Sequence, residues 1–92
     1  MLVRWTKPAV DHLTHIGDYT EEHFGATQAR RAAKAIYDTA DTLNHMPGAE
    51  RIGRKPRTRE IMVSGCPFVV IYRVAKEALP IIRVLHGAQQ WP

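Results

Sequence analysis

Apolar side chains recur every three or four residues through the first half of the chain and every second residue towards its end. That change of period separates helices from strands. Weak alternation over Leu2–Trp5 predicts a short strand. Thr6 then offers an N-cap hydroxyl, and Pro8 falls in the first helical turn, where its missing N–H costs nothing. Ala9, Leu13, Ile16, Thr20 and Phe24 form one stripe, with Asp11, His12, His15, Asp18, Glu21 and Glu22 on the other side. The spacing predicts an amphipathic helix over 8–24, ended by Gly25. A second stripe, Ala29, Ala33, Ile36, Ala40 and Leu43, predicts a helix over 27–46, stopped by Pro47-Gly48, with Lys34 and Asp38 paired one turn apart.

Beyond residue 58 the pattern predicts three strands, Arg59–Val63, Phe68–Val74 and Leu79–His86, rich in Val, Ile and aromatic residues. The connections Ser64–Pro67 and Ala75–Ala78 are short enough to make an antiparallel meander. Pro80 lacks an N–H, which suits a strand end or an outer edge. The expected architecture is a single α+β domain over 1–92, in the order β-α-α-β-β-β, with a helical hairpin packed on one face of a small antiparallel sheet. Regular alternation sorts Met62, Val69, Ile71, Ile82 and Val84 onto one face, and Ile61, Val63, Val70, Tyr72, Ile81 and Leu85 onto the other. Two helices cover one face only. The second is expected to be an open partner surface, unless strand ends and the tail Gln89–Pro92, with Trp91, fold over it.

Composition narrows this further. A chain of 92 residues with 45% hydrophobic positions builds one core, not two. It has no apolar run long enough to span a membrane and no apolar secretory stretch near its start. The single cysteine, Cys66, has no partner for an internal disulfide or a CxxC metal site. A reduced, cytoplasmic protein without membrane contact or cofactor is expected. The net charge of +4 is unevenly spread. Between Gly48 and Glu60, Arg51, Arg54, Lys55, Arg57 and Arg59 stand against Glu50 and Glu60, so this stretch carries most of the excess. It suits an anionic partner, nucleic acid or acidic protein, or else it is a solvated loop.

Three segments in this order, HIGDYTEEHFGATQARRAAKAI, TREIMVSGCPFVVIYRV and IIRVLHGAQQ, resemble the ParE/RelE superfamily of toxins from type II toxin–antitoxin modules. The aromatic-Gly junction Phe24-Gly25 and the ending Ile82-Arg83-Val84-Leu85-His86 are closer to ParE than to RelE. The resemblance implies a growth-inhibiting toxin of a plasmid-stabilisation or addiction module, neutralised by a cognate antitoxin whose C-terminal segment wraps it, in some cases within higher-order complexes. It implies inhibition of DNA gyrase for the ParE type and ribosome-dependent mRNA cleavage for the RelE type.

Cleavage would use the RNA 2′-OH as nucleophile and require a base, an acid and cations around the phosphate. Arg59 and Arg83 match basic positions of the superfamily and are expected on one sheet face; His86 could serve as acid or base. Yet Arg83 and His86, three apart on one strand, should face opposite ways, and no further acid or base completes the set. This favours a binding toxin over an enzyme, with no catalytic residue committed. Arg51, Arg54, Lys55, Arg57, Arg59, Tyr72, Arg83 and Trp91 are then candidate target or antitoxin contacts. A non-toxic, basic nucleic-acid-binding module is the third reading. His12 and His15 lie one turn apart, but nothing nearby completes a metal site.

Overall fold

The structure, a computed structural model, describes residues 2–43, 51–52 and 57–86. Strand β1 (Leu2–Trp5) leads into helices α1 (Lys7–Phe24) and α2 (Ala26–Thr42). Then come β2 (Arg51–Ile52), β3 (Arg59–Met62), β4 (Phe68–Tyr72) and β5 (Ala78–His86). One five-stranded sheet has the order β1-β5-β4-β3-β2. The meander β3-β4-β5 is antiparallel as expected, whereas β1 pairs parallel with β5. The two-residue β2, antiparallel to β3, arises within the basic stretch that periodicity assigned to a loop. Helix α2 ends at Thr42 with Leu43 as its C-cap, short of the expected 46. The expected stop at Pro47-Gly48 lies outside the described residues.

Thr6 joins β1 to α1. Its N–H donates to the Ile81 carbonyl (3.2 Å), extending the ladder, while its hydroxyl accepts from the Ala9 N–H (3.4 Å) and donates to the Ile81 carbonyl (2.6 Å). One side chain thus caps the helix and ties its start to β5. At the other end Gly25 both closes α1 and opens α2, with φ 92° and ψ 166°, a region essentially reserved for glycine. The one-residue joint forces the helices into a tight hairpin.

The main core joins Ala9 of α1 and Ile36, Ala40 and Leu43 of α2 to Val63, Val70, Tyr72, Leu79, Ile81 and Val84 of the sheet. Ala32, not Ala33, is the buried alanine of the middle turn of α2. Pro80 lies near the start of β5, an interior strand of the sheet, so of the two expected places it has the strand end and not the outer edge. Its carbonyl accepts from the Arg73 N–H (3.1 Å), so its missing donor would have pointed at Arg73, past the last residue of β4. Only one bond at the open hairpin end is lost.

A bulge corrects the expected sorting of faces. Ile71 pairs with Arg83 but Tyr72 with Ile81, so Ile82 has no partner of its own on β4. The extra residue shifts the alternation, placing Val84 with Ile81 on the helix face and Leu85 with Val69 and Ile71 on the other. That second face is not an open apolar patch, because Val69, Ile71 and Leu85 are 0%, 1% and 1% exposed.

Candidate partner-binding groove

Two exposed aromatic side chains, Tyr19 and Phe24, lie together towards the tip of the hairpin. From Thr6 to His12 α1 rises about 9 Å, keeping step with β5 from Ile81 to Val84, and Ile16 comes level with His86, where the strand ends. The remaining stretch, Gly17–Phe24, overhangs the sheet by about 12 Å. Tyr19 (58% exposed) and Phe24 (67% exposed) therefore continue the buried stripe without a floor beneath them. Phe24, expected in the core, is corrected on this ground.

Below the overhang is an open groove of about 880 Å³. Ile16, Tyr19, Thr20 and Phe24 form one wall and Gln28, Arg31 and Ala32 the next. The β3–β4 turn (Gly65–Phe68), Val84 and His86 close the end of the sheet. The ionisable groups among these linings, Arg31, His12, His15, His86, Tyr19 and Cys66, include no carboxylate. Thr20 ties its hydroxyl back to the Ile16 carbonyl at 2.7 Å, Tyr19 stacks on His23 with ring centroids 4.1 Å apart, and Phe68 meets His86 edge-on at 6.2 Å. An amphipathic segment with apolar anchors and carboxylates would complement this surface.

His12 was assigned to the wet side of α1, but it is half-buried. Beyond Trp5 no described strand lies beside that edge of β5, and there the Val84 N–H donates to His12 Nδ1 at 3.4 Å. Partial burial, then the nearby Arg83 cation, lowers its pKa below the ordinary 6.5, against an opposing pull from Asp11. The neutral ring is the form that can accept. Among the described residues no group of three or more His, Cys, Asp or Glu is placed to hold a metal ion, and no helix is long and apolar enough to cross a membrane.

The residues singled out from sequence are scattered. Arg59 registers with Tyr72 and Ile81 on the helix face, and Arg83 with Ile71 on the opposite face, so the expected shared face is corrected. His86 registers with Phe68, roughly 13 Å along the sheet from the row of Arg59. The Arg83 guanidinium donates to the Ile82 carbonyl at 2.8 Å. Tyr72 is 0% exposed and packs the sheet against the helices instead of lining a surface. Arg57 is exposed with φ 64°, and Arg51 is in β2. Arg54, Lys55 and Trp91 lie outside the described residues. The sequence alone does not single out the groove residues Tyr19, Arg31 and Phe68 as site residues, and marks Phe24 only as a core and junction position; the signal was an 18-residue helix set against β3 and β4 of four and five residues.

Comparison with known proteins adds to this geometry. Residues 3–91 match the family model described as ParE toxin of type II toxin–antitoxin system, parDE. A protein of Sinorhizobium fredii designated as a toxin, Y4kP, is 36% identical over 90 residues, covering 98% of this chain and 92% of its own length. Toxin RelE2 of Caulobacter vibrioides is 34% identical over 87 residues, covering 95% of this chain and 96% of the relative. A chain from the chromosomal ParDE toxin–antitoxin system of P. aeruginosa superposes with a TM-score of 0.87 at 26% identity, covering 94% of this chain and 95% of that one.

Proposed function

The chain belongs to the ParE toxin family of type II toxin–antitoxin systems, and from that premise we propose that it arrests growth by binding a target protein, DNA gyrase, and is neutralised by a cognate antitoxin seated in the groove. The observation that carries the binding mechanism is the dispersal of Arg59, Arg83 and His86. Arg59 and Arg83 point from opposite faces, and His86 stands several rows from Arg59. General acid–base cleavage needs its groups within hydrogen-bond reach of one phosphate, and three side chains so placed do not meet around one. A binding toxin has no such requirement. The antitoxin assignment draws on the ParDE neighbour and on the exposed Tyr19 and Phe24 beside a wall without carboxylates. The RelE-named relative supports the second reading, ribosome-dependent mRNA cleavage.

Induced expression, with plasmid supercoiling and transcript integrity followed in parallel, separates the two. Altered supercoiling with intact transcripts, and a His86→Gln variant that stays toxic at equal expression, is the expected result. Ribosome-dependent cuts that disappear with His86→Gln would replace gyrase binding with RNA cleavage, since loss of an acid or base costs about a hundredfold or more in rate.

A further inference from the structure

The face of the sheet turned away from the helices carries Arg4, Arg73 and Arg83, of which Arg83 alone is among the candidate target or antitoxin contacts read from the sequence. Val3 and Trp5 pair with Leu79 and Ile81 and pack against the main core, so Arg4 between them faces the other way, registered with Pro80. Arg73 follows Tyr72, a core residue, and donates its N–H to the Pro80 carbonyl, which extends the same row onto β4. Arg83 belongs to this face through its pairing with Ile71. Arg4 and Arg73 are exposed, Arg83 half-buried. Arg4 and Arg73 flank Pro80 from strands on either side, about 10 Å apart, and Arg83 is at most about 10 Å further along β5. Among the described strand residues the acid on this face is Glu60, itself only 2% exposed.

We propose that this helix-free face binds the phosphodiester backbone of a nucleic acid through Arg4, Arg73 and Arg83. Two features favour a polyanion over an acidic protein. The central apolar residues Val69, Ile71 and Leu85 are already buried, and the exposed ones, Leu2 and Met62, sit at opposite corners of the face on β1 and β3, so among the described residues a protein partner finds no contiguous apolar patch here to anchor its own side chains. Three guanidinium-bearing stems spread over a plane also match a run of phosphates better than they match one carboxylate. The described strand residues of this face include no aromatic ring to stack a base, so contact is with the backbone and indifferent to sequence. This surface lies across the sheet from the groove, and the inference does not depend on gyrase or on the antitoxin.

The test is fluorescence anisotropy of labelled oligo-dT, oligo-U and duplex DNA with the purified full chain as salt is raised. Three phosphate contacts give a slope of log K against log salt of about −2 on single strands and about −2.7 on duplex DNA. Arg4→Ala and Arg73→Ala should each flatten the slope by roughly 0.7–0.9, while Arg4→Lys, which keeps the charge, preserves it. Arg30→Ala, an equal loss of charge on exposed α2, should leave it unchanged. Oligo-dT against oligo-U distinguishes DNA from RNA as the natural source of the phosphates. No binding, a slope indifferent to Arg4 and Arg73, or equal affinity for polyglutamate lost with the same variants would each overturn the proposal.

Discussion

Phe24→Ala separates a surface built for a partner from one that holds the fold. The ring is 67% exposed in the free chain, at the tip of the overhang, so its removal takes little from the core. A fully buried Phe is worth about 1.5–3 kcal/mol; a partner that covered the exposed two-thirds would gain about 1–2 kcal/mol. Loss of that contact should weaken antitoxin binding roughly 5–30-fold. Stability of the free chain, followed by tryptophan fluorescence in urea, should change by less than about 0.5 kcal/mol, as for other surface positions. Ile36→Ala, at 0% exposure in the core, should show the reverse, a stability loss of about 2–5 kcal/mol. Calorimetric titration of both variants with the antitoxin supplies the affinities. Should Phe24→Ala destabilise the chain by more than ~1 kcal/mol while leaving antitoxin affinity unchanged, the ring is structural and the assignment of the groove fails.

Gly25→Ala places a side chain at φ 92° in a glycine-only region and should cost about 1–3 kcal/mol of unfolding free energy, although no atom crowds its Cβ; an unchanged urea midpoint would refute this. His12 binds its proton more weakly in the folded chain than in the unfolded one, because burial and Arg83 oppose the charge. Its contribution to stability is therefore complete above about pH 6.5 and is lost as pH falls through the lower folded value. His12→Gln should make the pH–stability curve shallower below that point, and a curve with the same slope as wild type would contradict the assignment.

Local signals carried most of the architecture. Thr6, Pro8 and Gly25 marked helix ends by backbone chemistry alone, and the change of period after residue 58 located the meander. What escaped prediction depended on relations between elements. Strand alternation says which residues share a face only while the register holds, and the extra Ile82 exchanged Val84 and Leu85 between faces. The error was consequential, because a regular sheet read from sequence put Arg59 and Arg83 together. The groove was missed for a related reason. A helical stripe marks the side that could be buried, but how far burial extends depends on the length of the sheet beneath, and Phe24 lies past its end. Helical periodicity alone puts His12 on the wet side, whereas its environment is set by the edge of β5, where the Val84 N–H reaches it.

The position of β5 between β1 and β4 bears on the order in which the molecule assembles. Strand β1 meets β5 across most of the chain, with Thr6 bonded to a carbonyl 75 residues later. Strand β4 also has β5 as a neighbour. During synthesis the helical hairpin can form from local contacts, whereas the N-terminal strand has no described partner until the last described strand has emerged. The β3–β4 hairpin can also pair locally, but completion of the sheet, with β1 in place, is a late event. A chain interrupted before Ala78 would not be a smaller version of this fold: it would lack the strand that joins β1 to the rest of the sheet, and with it Val84 and His86 from the end of the groove and Arg83 from the arginine face.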